Sequence, residues 1–211
     1  MRVDKLSVSF DPDLGDAVRA AARQRGSGVS KWLAEAAAAK LRTEALTQYL
    51  DDWGAEHGQL TADELAKGCC RTGLAGTSDR PAGGMSALVL DAGAFVAVDR
   101  GDRAVAARLR VAQRAGLELR STGVLISQVW RDAAGRQANL ARLLKSVDVK
   151  AVDDRLGRQA GVLLGQAGTK DAVHAGVVAV SATGDRIVTT DSDDIRPLVA
   201  ASGRSILVLP C

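Results

Sequence analysis

Ala87-Leu88-Val89-Leu90 is an apolar run without a polar break, and Asp91 follows it at once. Such a run suits a strand covered on both faces, as in a parallel sheet. Asp91 to Val98 then reads as a turn into a helix. In open α/β sheets ligands gather outside the carboxyl ends of the strands, where Asp91 would stand. Asp is also a preferred helix N-cap, so a second acid at the same edge is needed before the position means more than capping. From Met85 onward the chain keeps alternating. Helical spacing runs through Val105, Leu109 and Val111, and Leu117–Thr122 reads as strand. Val124–Asp132 and Ala138–Leu144 read as helices, Val147–Val152 as strand, and Arg155–Leu164 and Asp171–Ala182 as helices. Arg186–Thr190 is a strand ending at Asp191, then come a short helix around Ile195–Ala200 and a last strand at Ser205–Leu209. Repeated strand–helix alternation implies a three-layer α/β domain with a mostly parallel sheet. With aromatic residues only 3% of the chain, its core must be built from Ala, Val and Leu.

The first third is organised differently. Leu6, Val8 and Phe10 alternate with Lys5, Ser7 and Ser9, the pattern of a half-buried strand. Asp11-Pro12 signals a helix start, and helical spacing continues to Gln24. After Gly26-Ser27-Gly28, Ser30 is placed to cap a second helix from Lys31 to about Thr43. One strand and two helices cannot close a core alone. Two copies pairing their strands would solve this. Residues 2–45 thus resemble the ribbon-helix-helix DNA-binding family. The resemblance implies a dimer whose ribbon enters the major groove. It makes Lys5, Ser7 and Ser9 base readers with Arg2 flanking, and places a phosphate at the helix start near Ser30 and Lys31.

Leu46, Tyr49, Leu50 and Trp53 form an apolar stripe that Gly54–Gly58 is expected to interrupt, and Thr61 restarts a helix through Leu65. Large apolar side chains without a core of their own suggest a partner groove. Glycine-rich residues 71–84 have linker composition, and Met85 looks like the start of a second reading frame retained in a fusion. The expected division is 1–45, 46–70, 71–84 and 85–211.

A second strand-end acid is present. Asp191 follows Val188-Thr189-Thr190, with Asp193 and Asp194 beyond it, and Asp171 opens the preceding helix. Converging carboxylates repel unless a cation sits among them, and carboxylates with water suit Mg²⁺ or Mn²⁺. Leu88-Val89-Leu90-Asp91-Ala92-Gly93, Val129-Trp130-Arg131, Asp171-Ala172-Val173-His174-Ala175 and Val188–Asp194, in this order, resemble PIN-domain nucleases of the VapC toxin type. Residues 1–70 resemble a VapB-type antitoxin. The resemblance implies a metal-dependent endoribonuclease with Asp91, Asp171 and Asp191 as catalytic acids. It implies metal held by these and Asp194, and a toxin-binding tail using Tyr49, Leu50, Trp53, Leu65, Lys67 and Arg71. The sequence departs from the family at two acid positions, where Gln128 and His174 stand. Both can still coordinate, with less negative charge.

The expected function is a VapBC-type toxin–antitoxin pair in one chain. Its partners would be operator DNA, an RNA substrate and at least one further copy of itself. The alternative is a non-catalytic DNA-binding regulator with a degenerate PIN-like interaction domain. A net charge of +3 is too small to diagnose a nucleic-acid partner. Cys69, Cys70 and Cys211 have no metal-ligand spacing and suggest no disulfide framework. With no apolar leader and no long apolar run, neither a signal peptide nor a membrane span is expected, and the expected location is the cytoplasm.

Overall fold

The computed structural model describes residues 6–74, 86–131 and 135–211. Met1–Leu41 and Arg42–Cys211 are two compact units. Arg2 and Lys5, and most of the glycine-rich 71–84 stretch, lie outside the described residues.

In the first unit, helix α1 (Pro12–Gln24) starts as its sequence requires. Asp11 Oδ1 accepts from the Leu14 N–H (2.9 Å), and Pro12 occupies the first turn, where its missing N–H costs nothing. Gly26 (φ +62°) turns the chain out of it. Helix α2 begins at Val29, so Ser30 lies inside its first turn, exposed like Lys31. Residues 6–10 make no strand. A strand needs a ladder partner, and the single chain offers none among the described residues. Their apolar side chains stay in solvent, with Leu6 86% and Val8 63% exposed.

α2 does not stop near Thr43. It is one helix from Val29 to His57, and the expected break at Gly54–Gly58 falls at its end. A single interior glycine costs only about 1 kcal/mol, which burial of Leu50 and Trp53 beside it outweighs. Gly54 also has a packing reason, since a Cβ there would meet the Gln59 side chain at 3.0 Å. Thr61 and Glu64 form a capping box that starts helix α3 (Ala62–Arg71).

The second unit is an α/β fold on a five-stranded, wholly parallel sheet. Its strands are β1 (Ala87–Leu90), β2 (Glu118–Thr122), β3 (Val147–Lys150), β4 (Arg186–Thr189) and β5 (Leu207–Pro210). Their spatial order is β3-β2-β1-β4-β5. β1 is central and fully buried, which explains its unbroken apolar run. The connecting helices are α4 (Ala92–Asp99), α5 (Arg103–Arg114), α6 (Gly123–Val129), α7 (Ala138–Leu144), α8 (Asp154–Ala167), α9 (Ala172–Val180) and α10 (Ser192–Ser202). They form two packing groups. α4 touches α5, α6 and α7, and α3 lies on α5, whereas α8, α9 and α10 pack on one another. This is consistent with a three-layer α/β fold. Leu46, Tyr49, Leu50 and Trp53 of α2 belong to the same apolar core as β1 and β4.

At the amino ends of the strands, buried Asp185 joins three segments. Its carboxylate accepts from the Ala87 and Ala182 N–H groups (2.7 Å each) and from Arg120 Nη1 (2.6 Å). This acid was not singled out in the sequence. An Asp in a Gly-Asp turn before a strand carries no pattern that separates it from a surface turn residue. No helix among the described residues is long and apolar enough to cross a membrane.

Candidate metal centre

The strand order changes direction between β1 and β4. The chain leaves β1 towards β2 on one side, and β4 joins on the other. A crevice opens at the carboxyl ends of two such strands. Asp91 follows β1 and Asp191 follows β4, so the two expected acids meet there.

Asp91 is 1% exposed. It stands at the N-cap of α4, yet its side chain caps nothing. Thr189 Oγ1 donates to its Oδ2 (2.7 Å), while its Oδ1 is buried without any partner. A buried carboxylate oxygen left without a partner is costly, and capping does not account for it. Gly93 lets the next turn fit, since a Cβ there would meet Thr190 Oγ1 at 2.5 Å. Thr190 Oγ1 donates to Asp191 Oδ2 (2.9 Å), and the Asp191 N–H donates to Thr189 Oγ1 (2.9 Å). Thr189 therefore ties both acids to the end of β4.

His174 arrives from α9. Its Nε2 lies 3.9 Å from Asp91 Oδ2 and 4.0 Å from Asp191 Oδ2. One ligand atom from each of Asp91, His174 and Asp191 lies within 4.8 Å of the others. Two oxygens and one imidazole nitrogen form a donor set for a first-row divalent ion, and the orphaned Asp91 Oδ1 is a ligand without a present use. These residues fit a metal.

The other expected ligands stand outside this group. Asp171 is the N-cap of α9; its Oδ1 accepts from the Val173 and His174 N–H groups (2.9 and 3.0 Å). Its Oδ2 is 3.3 Å from His174 Nδ1 but out of hydrogen-bond geometry, so Nδ1 has no hydrogen-bond partner. Asp171 thus caps α9 and stands beside the His174 ring without bonding to it. Asp194 sits exposed in the first turn of α10, and Gln128 is exposed on α6. Buried polar atoms without partners recur along this edge. Thr122 Oγ1 closes β2 and Ser192 Oγ follows Asp191. Neither was singled out in the sequence, because a threonine ending a strand and a serine before a helix are ordinary cap residues.

The expected tail residues divide. Tyr49, Leu50 and Trp53 are buried in the core, and burial pushes the Tyr49 phenol up to about 12, against the opposing charge of Arg142. Leu65 is half-buried. Lys67 pairs with Asp63 (2.7 Å) on its own helix, and Arg71 is exposed with no ion pair among the described residues. What fastens the segment is the reverse arrangement, with acids on it and arginines on the α/β core. Arg142 grips Glu56 with both terminal nitrogens (2.8 and 3.1 Å), and Arg110 reaches Asp51 (2.8 Å). Arg103 holds Glu64 (2.5 and 3.0 Å) and donates to His57 O and Gln59 O (2.8 and 3.1 Å). Its guanidinium also lies 5.5 Å above the Trp53 ring, on which His57 stacks.

Comparison with protein families, with curated proteins and with solved structures finds no match for this chain.

Proposed function

We propose that the chain is a metal-dependent ribonuclease of PIN type carried together with its own inhibitory and DNA-binding segment, a VapBC-like pair in one polypeptide. The observation that carries this reading is Asp91, a buried carboxylate with an orphaned oxygen, grouped with His174 and Asp191 in the crevice between β1 and β4. Those three residues would hold Mn²⁺ in preference to Mg²⁺, because an imidazole nitrogen and only two carboxylates suit a first-row ion better than a hard one. A bound ion of this kind supplies an activated water and charge for a phosphodiester. The chain's own residues do the positioning. Thr189 fixes Asp91 and Asp191, and Asp171 caps the helix that carries His174. The hold of three arginines, Arg103, Arg110 and Arg142, on residues 51–64 supports an inhibitory role for the segment, since it keeps that segment against the core.

The DNA-binding half of the reading rests on residues 6–10. Their alternating apolar side chains are exposed and unpaired in one chain, which is what a strand awaiting a second copy presents. The dimeric ribbon would turn Ser7 and Ser9 outward towards operator DNA, with phosphate contacts making binding fall steeply with salt.

A second reading is a PIN-like module that regulates without cleaving. It is favoured by His174 in place of an acid and by Asp171 and Asp194 standing outside the ligand group. One experiment separates the two. Calorimetric titration of the full chain with Mn²⁺ and Mg²⁺, beside RNA cleavage at matched saturation, is run on Arg103→Ala protein, whose inhibitory segment is loosened, and on the same protein carrying Asp91→Asn. The nuclease reading expects Mn²⁺ to bind tighter than Mg²⁺ and both binding and cleavage to vanish with Asp91→Asn. Metal binding without cleavage selects the regulator, and no metal binding removes the nuclease.

A further inference from the structure

Arg108 on α5 is 2% exposed, the largest fully buried side chain among the described residues. Its Nε and Nη1 find no hydrogen-bond partner. A buried guanidinium normally has a carboxylate facing it. The carboxylate of Asp102 acts on it only weakly, and its Oδ1 is already taken by the Ala104 and Val105 N–H groups (2.7 and 3.1 Å) as the cap of α5. Burial lowers the Arg108 pKa, Cys211 and Asp102 oppose that, and the positive charge of Arg71 adds to it. The cation is thus left short of an anion.

Its surroundings say what covers it. Val105, Leu109 and Ala112 of α5 face the core. Ala107, Arg108 and Val111 are buried outside that core, on the adjoining side of the helix. α3 lies on that side, so close that a Cβ on Gly68 would come within 3.1 Å of the Ala107 carbonyl. Arg71 ends α3. Cys211 links Arg108 electrostatically to the metal centre. Cys211 feels the charge of Arg108 as well as those of Asp91 and Asp191, and its N–H donates to Thr189 O (2.9 Å), on the residue that holds Asp91.

We propose that Arg108 is a phosphate-binding arginine of the substrate track, kept from its ligand by α3 lying over α5. This rests on the nuclease reading above. Inhibition then works by covering a substrate-binding cation, while the metal-ligating acids stay free of tail cations. Lys67, paired with Asp63, and Arg71, without an ion pair among the described residues, agree with that. A phosphodiester supplies what the site lacks, a compact anion matched to the guanidinium fork.

The test uses the full chain and a fluorescein-labelled single-stranded RNA of mixed sequence, with chelator present so that nothing is cut. Gly68→Leu wedges α3 away from Ala107, and Arg103→Ala loosens the same segment by another route should the wedge prevent folding. Either variant is expected to bind the RNA about tenfold tighter than the parent, the worth of one charge-assisted contact. Adding Arg108→Gln returns binding to the parent level and reduces the salt slope by about 0.7, the signature of one phosphate lost from a single strand. In the parent, Arg108→Met raises Tm because it removes a buried charge without a partner. Tighter binding that persists in the Arg108→Gln double variants overturns the proposal, as does a fall in Tm for Arg108→Met. Mn²⁺ titration of the same proteins keeps the two ideas apart. Metal binding with RNA affinity indifferent to Arg108 sinks only this inference. Absence of metal binding sinks the nuclease reading, while the RNA result still decides for or against Arg108.

Discussion

Asp91 and Asp185 are both almost wholly buried, and they are opposites. Asp185 is saturated, accepting from two backbone N–H groups and from Arg120. Asp185→Asn removes the charge that Arg120 faces, so stability should fall by about 3–5 kcal/mol, the usual cost of breaking a buried pair from one side. Asp91 has one hydrogen-bonded oxygen and one orphan. Asp91→Asn relieves an unpaired buried charge, so metal-free unfolding in denaturant should show unchanged or raised stability. A loss of stability at Asp91 as large as that at Asp185 would make Asp91 a structural acid. The contrast bears on what the sequence can disclose. Asp91 and Asp191 were legible because each ends an apolar run at the ligand-binding edge of the sheet. Asp185 and Arg108 were not. Their roles depend on partners distant in the chain, or on the absence of one, and a charged residue within a helix or turn reads as solvated. His174 and Asp171 were legible as a pair, but only geometry separates the ring that faces the acids from the carboxylate that caps its helix.

Among elements, the α2–α3 corner has the sharpest chemistry. Arg103 beside Glu64, together with the Thr61 main chain and hydroxyl, holds the Glu64 carboxyl down to about 2. Its folded value lies below the ordinary value of about 4.3, so its contribution is present above that value and is lost as pH falls towards 2. Lowering pH through this window should loosen the segment around residues 58–71, read as faster amide exchange there than in β1. In Glu64→Gln the exchange should already be fast at neutral pH and change little on acidification. Equal exchange of this segment in parent and variant at pH 7 would show that the Arg103 contact fastens nothing. The helix itself was only partly legible. Its apolar stripe was visible, but the glycines at 54 and 58 suggested a break that burial of Trp53 overrides.

At the scale of the whole molecule, strand positions in the α/β unit were legible from the alternation of strand and helix, although only β1 is an unbroken apolar run while β2 and β3 mix polar with apolar residues. The order β3-β2-β1-β4-β5 was not, because a parallel sheet carries no local signal of which strand lies beside which. The first unit ends its account in solvent. Leu6, Val8 and Phe10 are exposed in the single chain, and in the proposed ribbon a second copy would cover them. Sedimentation of the full chain should therefore give a dimer, and Val8→Asp should give a monomer while Mn²⁺ binding is retained. A parent that sediments as a monomer at all concentrations would remove the ribbon and the DNA-binding half of the proposed function with it.

The helix that runs unbroken from Val29 to His57 delivers Tyr49, Leu50 and Trp53 into a core made by residues beyond 86 of the same polypeptide. Cover and covered are therefore always present one to one. A tethered segment acts at a fixed local concentration that does not depend on how much protein is present. Dilution cannot strip it away. Whatever uncovers α5 must act inside a single molecule, by acidity, ionic strength, proteolysis or a competing ligand.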